Sequence, residues 1–366
     1  MTTELPPWRV RVRVHSPNPS PDEAWLAQVT EAPLYPEREI VDAHHHLWDR
    51  QGHRYLLEEY ADDIGLSGRN VVASVYVQCR TMYRADGPQW QKPLGEVEFV
   101  RGIAAQARSG HYGTTRVAAA IVACADLCHR DTLIQQLDAL IDAGGGLVRG
   151  LRMPLAAHTD ERVISNPVPV QDGVMLTPDF LWGAQQLAQR GLSLDVWVYQ
   201  SQLAQVAQLA AACPGLRIVV NHMGGPLGVG PYATHQPEHF EHWRQGVQAL
   251  AALPNVVMKL GGFAMPVMGL GLRDQALPPT SKQLAVKIKP FIDVCLESFG
   301  ATRCLFESNF PVDKGGVSYA VLWNAFCRVS EGWSDAEIKA AFSDTAKQVY
   351  RLGNDVCQPL APSGQS

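Results

Sequence analysis

Eight short apolar and β-branched runs, each closed by polar or glycine-rich residues, alternate along the chain with stretches whose apolar residues recur at helical spacing. That alternation predicts an α/β protein folded as a single-domain parallel (β/α)8 TIM barrel. A length of 366 residues accommodates one such barrel, and 46% hydrophobic with 18% charged residues is the composition of a globular protein with a sizeable core.

The elements follow in order. Residues 1–37 carry "LPPW", "SPNPSPDEAW" and "APLYPERE". Proline at that density opposes both helix and central strand, so an extended Pro-rich N-terminal arm is expected there. The barrel is expected over 38–352 and a tail over 353–366. Strand-like runs are "EIVDAHHHL" (39–47), "NVVASVYVQC" (70–79), "TRVAAAIVAC" (115–124) and "LVRGLRMP" (147–154). Four more are "LSLDVWVYQ" (192–200), "RIVVNHMG" (217–224), "NVVMKLGGF" (255–263) and "RCLFESNF" (303–310). Between them, "GEVEFVRGIAAQARS", "TLIQQLDALIDAGGG" and "PDFLWGAQQLAQRG" read as helices, the last two closing on glycine as C-caps do. "SDAEIKAAFSDTAKQVYRL" (334–352) reads as a closing helix with Ser334 as N-cap and Glu337 at the third position. A doubly wound sheet is the alternative, but eight strands exceed what most such sheets need.

With 31 Lys and Arg against 36 Asp and Glu, the formal net charge of -5 provides no basic field for nucleic acid or an anionic membrane. The expected partner is a small molecule, and a homo-oligomer is compatible with the sequence. The eight cysteines contain no CxxC pair, which argues against a zinc ribbon or a disulfide framework. The N-terminus lacks the apolar core of a secretory signal, and no uninterrupted apolar stretch is long enough to span a membrane, so a cytoplasmic protein is expected.

In a (β/α)8 barrel the chemistry sits at the C-terminal ends of the strands. A period of two along the first strand puts Asp42, His44 and His46 on one face and Ala43 and His45 on the other. If the first face is the barrel interior, His44 and His46 stand about 7 Å apart along the strand, close enough to share one metal ion or one carbonyl oxygen. His222 ends the sixth strand before a glycine-rich loop, so three imidazoles converge.

The runs "DAHHHLWD", "NVVASVYVQC", "NHMGGP", "NVVMKLGG" and "FESNFPVDK" together resemble the amidohydrolase-2 branch of the amidohydrolase superfamily, over roughly residues 38–352. That family includes lactonases such as L-fuconolactonase and 2-pyrone-4,6-dicarboxylate lactonase, and also metal-dependent decarboxylases. The resemblance implies the barrel and a hydrolytic site on its strand ends. It maps the family's HxH onto His44 and His46, and its strand-six histidine onto His222.

Two positions depart from the family pattern. The usual Ser-Asp-Trp-Pro of strand eight reads Ser308, Asn309, Phe310, Pro311 here, and Gln78 stands where related sequences often carry Glu. An amide neither neutralises a divalent cation nor accepts a proton near neutral pH. The expected cofactor is therefore a weakly bound divalent metal such as zinc on His44, His46 and His222, or none, with the imidazoles polarising the carbonyl directly. The base is expected to be Glu307, which by strand parity faces inward with Asn309, or Asp313 in the following loop. An interior carboxylate has to be paired or protonated, and Lys259 is the structural partner weighed for Glu307.

For an anionic substrate, Arg80, Tyr83 and Arg84 follow the second strand and Arg152 ends the fourth; an arginine fork binds a carboxylate through two hydrogen bonds. Tyr199, ending the fifth strand, is a candidate oxyanion donor. His235, His239 and His242 share one helical face, but they open a helix, lack the HExxH pattern, and read as a solvated helix start. The expected activity is hydrolysis of a carboxylated lactone or similar cyclic ester, with Asn309 orienting water or substrate. A metal-dependent decarboxylase and a catalytically degenerate ligand-binding barrel are the alternatives.

Overall fold

The computed structural model describes residues 18–50, 52–165 and 170–353. Eight strands form one parallel sheet in sequential order. They are β1 (Ile40–His45), β2 (Val71–Val77), β3 (Arg116–Ala123), β4 (Val148–Pro154), β5 (Ser193–Trp197), β6 (Ile218–Val220), β7 (Val256–Leu260) and β8 (Cys304–Phe306). Each lies inside one of the eight predicted runs. The cylinder closes just beyond β8, where His45 bridges Phe310 and His46 N–H donates to Phe310 O at 2.7 Å.

Helices alternate with the strands: α1 (Leu57–Ser67), α2 (Leu94–Ala107), α3 (Arg130–Gly144), α4 (Pro178–Gln189), α5 (Leu203–Ala212), α6 (Gln236–Ala251), α7 (Ser281–Phe299) and α8 (Tyr319–Val329). α3 ends on a left-handed Gly145, as its sequence predicts. α4 instead closes on Arg190, with Gly191 one residue further on.

The closing segment opens with the predicted capping box: Ser334 Oγ accepts from Glu337 N–H, and the Glu337 carboxylate accepts from Ser334 N–H. It is not one regular helix, because Ala340–Asp344 form a π turn between Asp335–Lys339 and Thr345–Val349. The wider turn lets one side of the segment serve two cores. Phe342 packs on Phe306 with centroids 4.6 Å apart, while Val349 and Tyr350 join the apolar filling of the barrel interior.

The expected extended arm is corrected at one point. Glu23–Leu26 form a single helical turn capped by Asp22, because this stretch is free of proline and the Asp22 carboxylate accepts Trp25 N–H at 3.0 Å. Further along, Glu31 accepts from Ser281 N–H at 2.7 Å, and Asn324 accepts from Leu34 N–H at 2.8 Å, which ties this part to α7 and α8. Residues 1–17 of the arm and 354–366 of the tail lie outside the described residues.

Two cores result. One lies between strands and helices; the other fills the cylinder with Val41, Val75, Val77, Val219, Val257 and Leu305. None of the described helices is long and apolar enough to cross a membrane.

Candidate active site

Strand parity on β1 does not survive intact. The ladder between β1 and β2 shifts register between Asp42 and His45, and such an irregularity re-aims side chains. Ala43 belongs to the interior filling. Asp42, expected on the same face as His44, points into the helical layer, where it accepts from Tyr60 Oη at 2.8 Å and Tyr319 Oη at 3.1 Å. Its other oxygen accepts from Ser308 N–H at 2.8 Å, which joins β1 to the segment after β8. His44 and His46 do turn inward, with ring centroids 4.7 Å apart. His45 faces outward as expected and stacks on Tyr60 at 4.3 Å. Both its ring nitrogens are buried without a hydrogen-bond partner among the described residues.

Glu307 ties the distant histidines together. Its Oε1 accepts from His222 N–H at 3.1 Å and lies 2.6 Å from His222 Nδ1, while Oε2 lies 2.7 Å from His44 Nδ1. Two glycines at the end of β7 make this possible. A Cβ on Gly261 would sit 2.3 Å from Glu307 Cγ, and one on Gly262 would sit 2.7 Å from the His222 ring. His222 itself adopts φ +52°, a left-handed conformation that costs a non-glycine residue energy and recurs at functional sites.

The partner weighed for Glu307 is engaged elsewhere. Lys259 pairs with Asp195 at 2.9 Å, both fully buried, and Asp195 also accepts from Tyr350 Oη at 2.9 Å. Strand register brings Asp195 and Lys259 together across β5 and β7, and the pairing of Asp195 with this site was not foreseen from sequence; the polar residue in the apolar run "LSLDVWVYQ" was its only signal. Lys259 Nζ stands 3.4 Å from His44 Nδ1, and Arg152 Nη1 stands 3.3 Å from His44 Nε2.

The expected substrate-binding residues divide. Arg152 is buried and committed within the protein, donating to Gln78 O as well as facing His44. Gln78 Oε1 is buried without a hydrogen-bond partner among the described residues. Arg80 and Tyr83 border a groove beside the centre. Arg84 is drawn away by an ion pair with Glu98 at the surface, and the Tyr199 hydroxyl is engaged by Ser165, accepting its N–H at 2.9 Å. Asn309 does not share a strand face with Glu307, because β8 ends at Phe306. Its N–H donates to His44 O at 2.9 Å and its side-chain amide donates to Asp313 at 2.9 Å. Asp313 also accepts from Ala264 N–H at 3.1 Å. His235, His239 and His242 sit at the start of α6, away from this cluster.

Burial holds His44 and His46 well below the ordinary imidazole range; Lys259 adds to the effect on His44 and Arg152 to that on His46. Burial also lowers His222, against the opposing pull of Glu307. These rings are neutral near pH 7, the form that binds metals and accepts protons. His46 donates Nδ1–H to Val77 O at 2.7 Å, which leaves Nε2 as an acceptor 3.1 Å from His44 Nε2. Burial pushes the Asp313 carboxyl up to about 8.

Among the described residues, the group of side chains able to hold a metal ion is His44, His222 and Glu307, with ligating atoms within 4.8 Å of one another. Glu307, rather than His46, completes the set. These donors fit a divalent cation: the imidazoles are neutral, and Glu307 Oε2 has no aligned hydrogen-bond donor among the described residues. Arg152 and Lys259, on either side of His44, place two fixed positive charges against that cation.

A parallel eight-stranded barrel with histidines and a carboxylate at its strand ends defines a barrel able to hold a divalent cation at its mouth. The sequence profile of the Amidohydrolase family matches residues 41–352, and the chain belongs to that family of hydrolytic enzymes. It is 29% identical over 337 residues to the uncharacterized protein y4mH of Sinorhizobium fredii, covering 86% of this chain and 98% of that one. It is 27% identical over 328 residues to L-fucono-1,5-lactonase of Burkholderia multivorans, covering 85% and 96%. A crystal structure of a Burkholderia multivorans amidohydrolase with bound zinc superposes with a TM-score of 0.62 at 24% identity, over 86% of this chain and 99% of that chain.

Proposed function

We propose that this enzyme opens a carboxylated lactone or a similar cyclic ester with water. The observation that carries the reading is the placing of Glu307 between His44 and His222, where one oxygen hydrogen-bonds and so orients the His222 imidazole and the other stands against His44. With Nδ1 against Glu307, His222 keeps Nε2 free to take a proton from the attacking water, and the carboxylate stabilises the imidazolium that forms. The water oxygen bonds to the lactone carbonyl carbon, the ring C–O bond breaks, and the proton on His222 passes to the departing oxygen. The Arg152 guanidinium, held between Gln78 O and His44, faces the negative charge that develops on the carbonyl oxygen. Gln78 Oε1, without a hydrogen-bond partner among the described residues, would accept from a substrate hydroxyl. The substrate carboxylate falls to Arg80, since Arg152 is occupied.

A divalent metal such as zinc, held by His44, His222 and Glu307, would supply Lewis-acid polarisation of the carbonyl and a more acidic water. The two neighbouring cations make that hold weak. Elemental analysis and chelation test this point, and one stoichiometric zinc required for turnover would defeat it. Acid release from a panel of carboxylated lactones tests the reaction itself. Turnover that falls by about 10²–10⁴ in His222→Asn is expected; a wild type silent on every lactone would sink the reading. The same small-molecule chemistry agrees with the formal net charge of -5.

A further inference from the structure

Beside the histidine centre, the loops after β2, β3 and β4 enclose a groove of about 720 Å³, within the range of small-molecule sites and larger than a bare sugar-acid lactone ring requires. Trp90, Pro93, Met153, Pro154 and Val174 make its walls largely apolar. Arg80 stands at the rim, exposed, with no hydrogen bond or ion pair among the described residues. The rim carboxylate Asp126 is turned to its own loop, accepting from Cys128 N–H at 3.0 Å.

The walls are built rather than loose. Gln136, buried, donates to Trp90 O at 2.7 Å and so fixes the tryptophan segment to α3. Glu96, fully buried on α2, accepts from Cys79 N–H at 2.7 Å and Thr81 N–H at 3.3 Å, clamping the backbone on both sides of Arg80. The groove adjoins the end of β4, the strand that carries Arg152. Met153 follows Arg152 in the chain, and Cys124, another wall residue, lies near enough to Arg152 and Arg80 for both guanidiniums to act on its thiol.

We propose that this groove seats the non-reacting part of the substrate, an aromatic ring bearing an acidic group, with the ring against Trp90 and the acid on Arg80. The proposal rests on the lactonase reading for the identity of the reacting part, and it narrows the substrate to lactones that carry such a ring. An aromatic side chain contributes ring contacts beyond simple area burial, and a guanidinium recognises a carboxylate through paired hydrogen bonds.

Calorimetric titration of the full chain with phenylacetate, phenylacetamide and acetate tests it. Phenylacetate is expected to bind at least about tenfold tighter than acetate. Trp90→Leu should weaken phenylacetate and phenylacetamide alike by about tenfold. Arg80→Gln should weaken phenylacetate by about tenfold and leave phenylacetamide within about twofold. No binding of phenylacetate, equal binding of acetate, or indifference to Trp90→Leu overturns the proposal. Hydrolysis of unsubstituted carboxylated lactones together with any of those results removes the groove and keeps the lactonase; phenylacetate held at Trp90 and Arg80 with no lactone hydrolysed does the reverse.

Discussion

The two halves of the barrel interior are equally dry and otherwise opposite. Toward the N-terminal ends of the strands, Val41, Val75, Val219, Val257 and Leu305 pack with Val349 and Tyr350. Toward the C-terminal ends, Arg152 of β4, Asp195 of β5, Lys259 of β7 and Glu307 just after β8, all buried, gather around His44 and His222. The apolar half needs only shape and volume. The polar half holds two cations and two carboxylates whose desolvation is offset by specific contacts, Lys259 on Asp195, Arg152 on Gln78 O and Glu307 on His222, so its arrangement is specific and each member is costly to lose. Reactive chemistry has been placed where unpaired charge would be most expensive, and Tyr350 joins the halves by donating to Asp195 at 2.9 Å.

The largest effect should come from the centre of the polar half. Glu307→Gln, which keeps the shape but removes the anionic oxygens facing both imidazoles, should lower kcat/KM by about 10³ or more, read by steady-state kinetics on whichever lactone is turned over. A loss below about tenfold would mean that the imidazoles work without it.

Stability separates the halves next. Lys259→Met leaves Asp195 charged and buried without its cation, and should cost about 3–5 kcal/mol in urea denaturation. Leu305→Ala in the apolar half should cost about 2–5 kcal/mol by leaving a cavity. Only Lys259→Met should also move the pH–rate profile, because Lys259 faces His44. If Leu305→Ala shifts the profile equally, the halves are not distinct.

The pH dependence of stability has two opposed sources. The folded state holds His44, His46, His222 and His45 below the free imidazole range, His45 at about 3, in each case through burial first. The unfolded chain therefore takes up these protons first, so the histidine contribution is complete above about pH 6.5 and is lost as the pH falls. Asp313 has the opposite sign. Raised to about 8 from 3.8, it contributes fully at low pH and loses that contribution as the pH climbs toward 8. Asp313→Asn should flatten the decline on the alkaline side. His45→Phe should flatten the acid side by one proton and add about 1 kcal/mol, since it removes two buried nitrogens without partners. Chemical denaturation from pH 4 to 8 reads both.

Arg84→Ala marks the floor of the scale. Its side chain is 36% exposed and paired with Glu98 at the surface. It should change stability by less than about 0.5 kcal/mol and leave the kinetics alone.

What could be read from the sequence and what could not divide along a physical line. The eight strands and the flanking helices were legible because side-chain periodicity is a property of neighbours along the chain, and the capping box at Ser334 and Glu337 is likewise local. So were His44, His46 and His222 as strand-end residues of a known pattern. The π turn at Ala340–Asp344 was not, since it serves two cores that meet only in the folded barrel.

From the sequence alone came the barrel, the order of its elements and the histidines that would meet at one end of it, because local patterning and strand direction suffice for these. Only the tertiary structure decided which charge faces which. The register shift after Asp42 turned that carboxylate outward, Lys259 went to Asp195 instead of Glu307, and Glu307 came to lie between two imidazoles. Those choices depend on the stagger between strands that are far apart in sequence, where a shift of one residue exchanges interior for exterior.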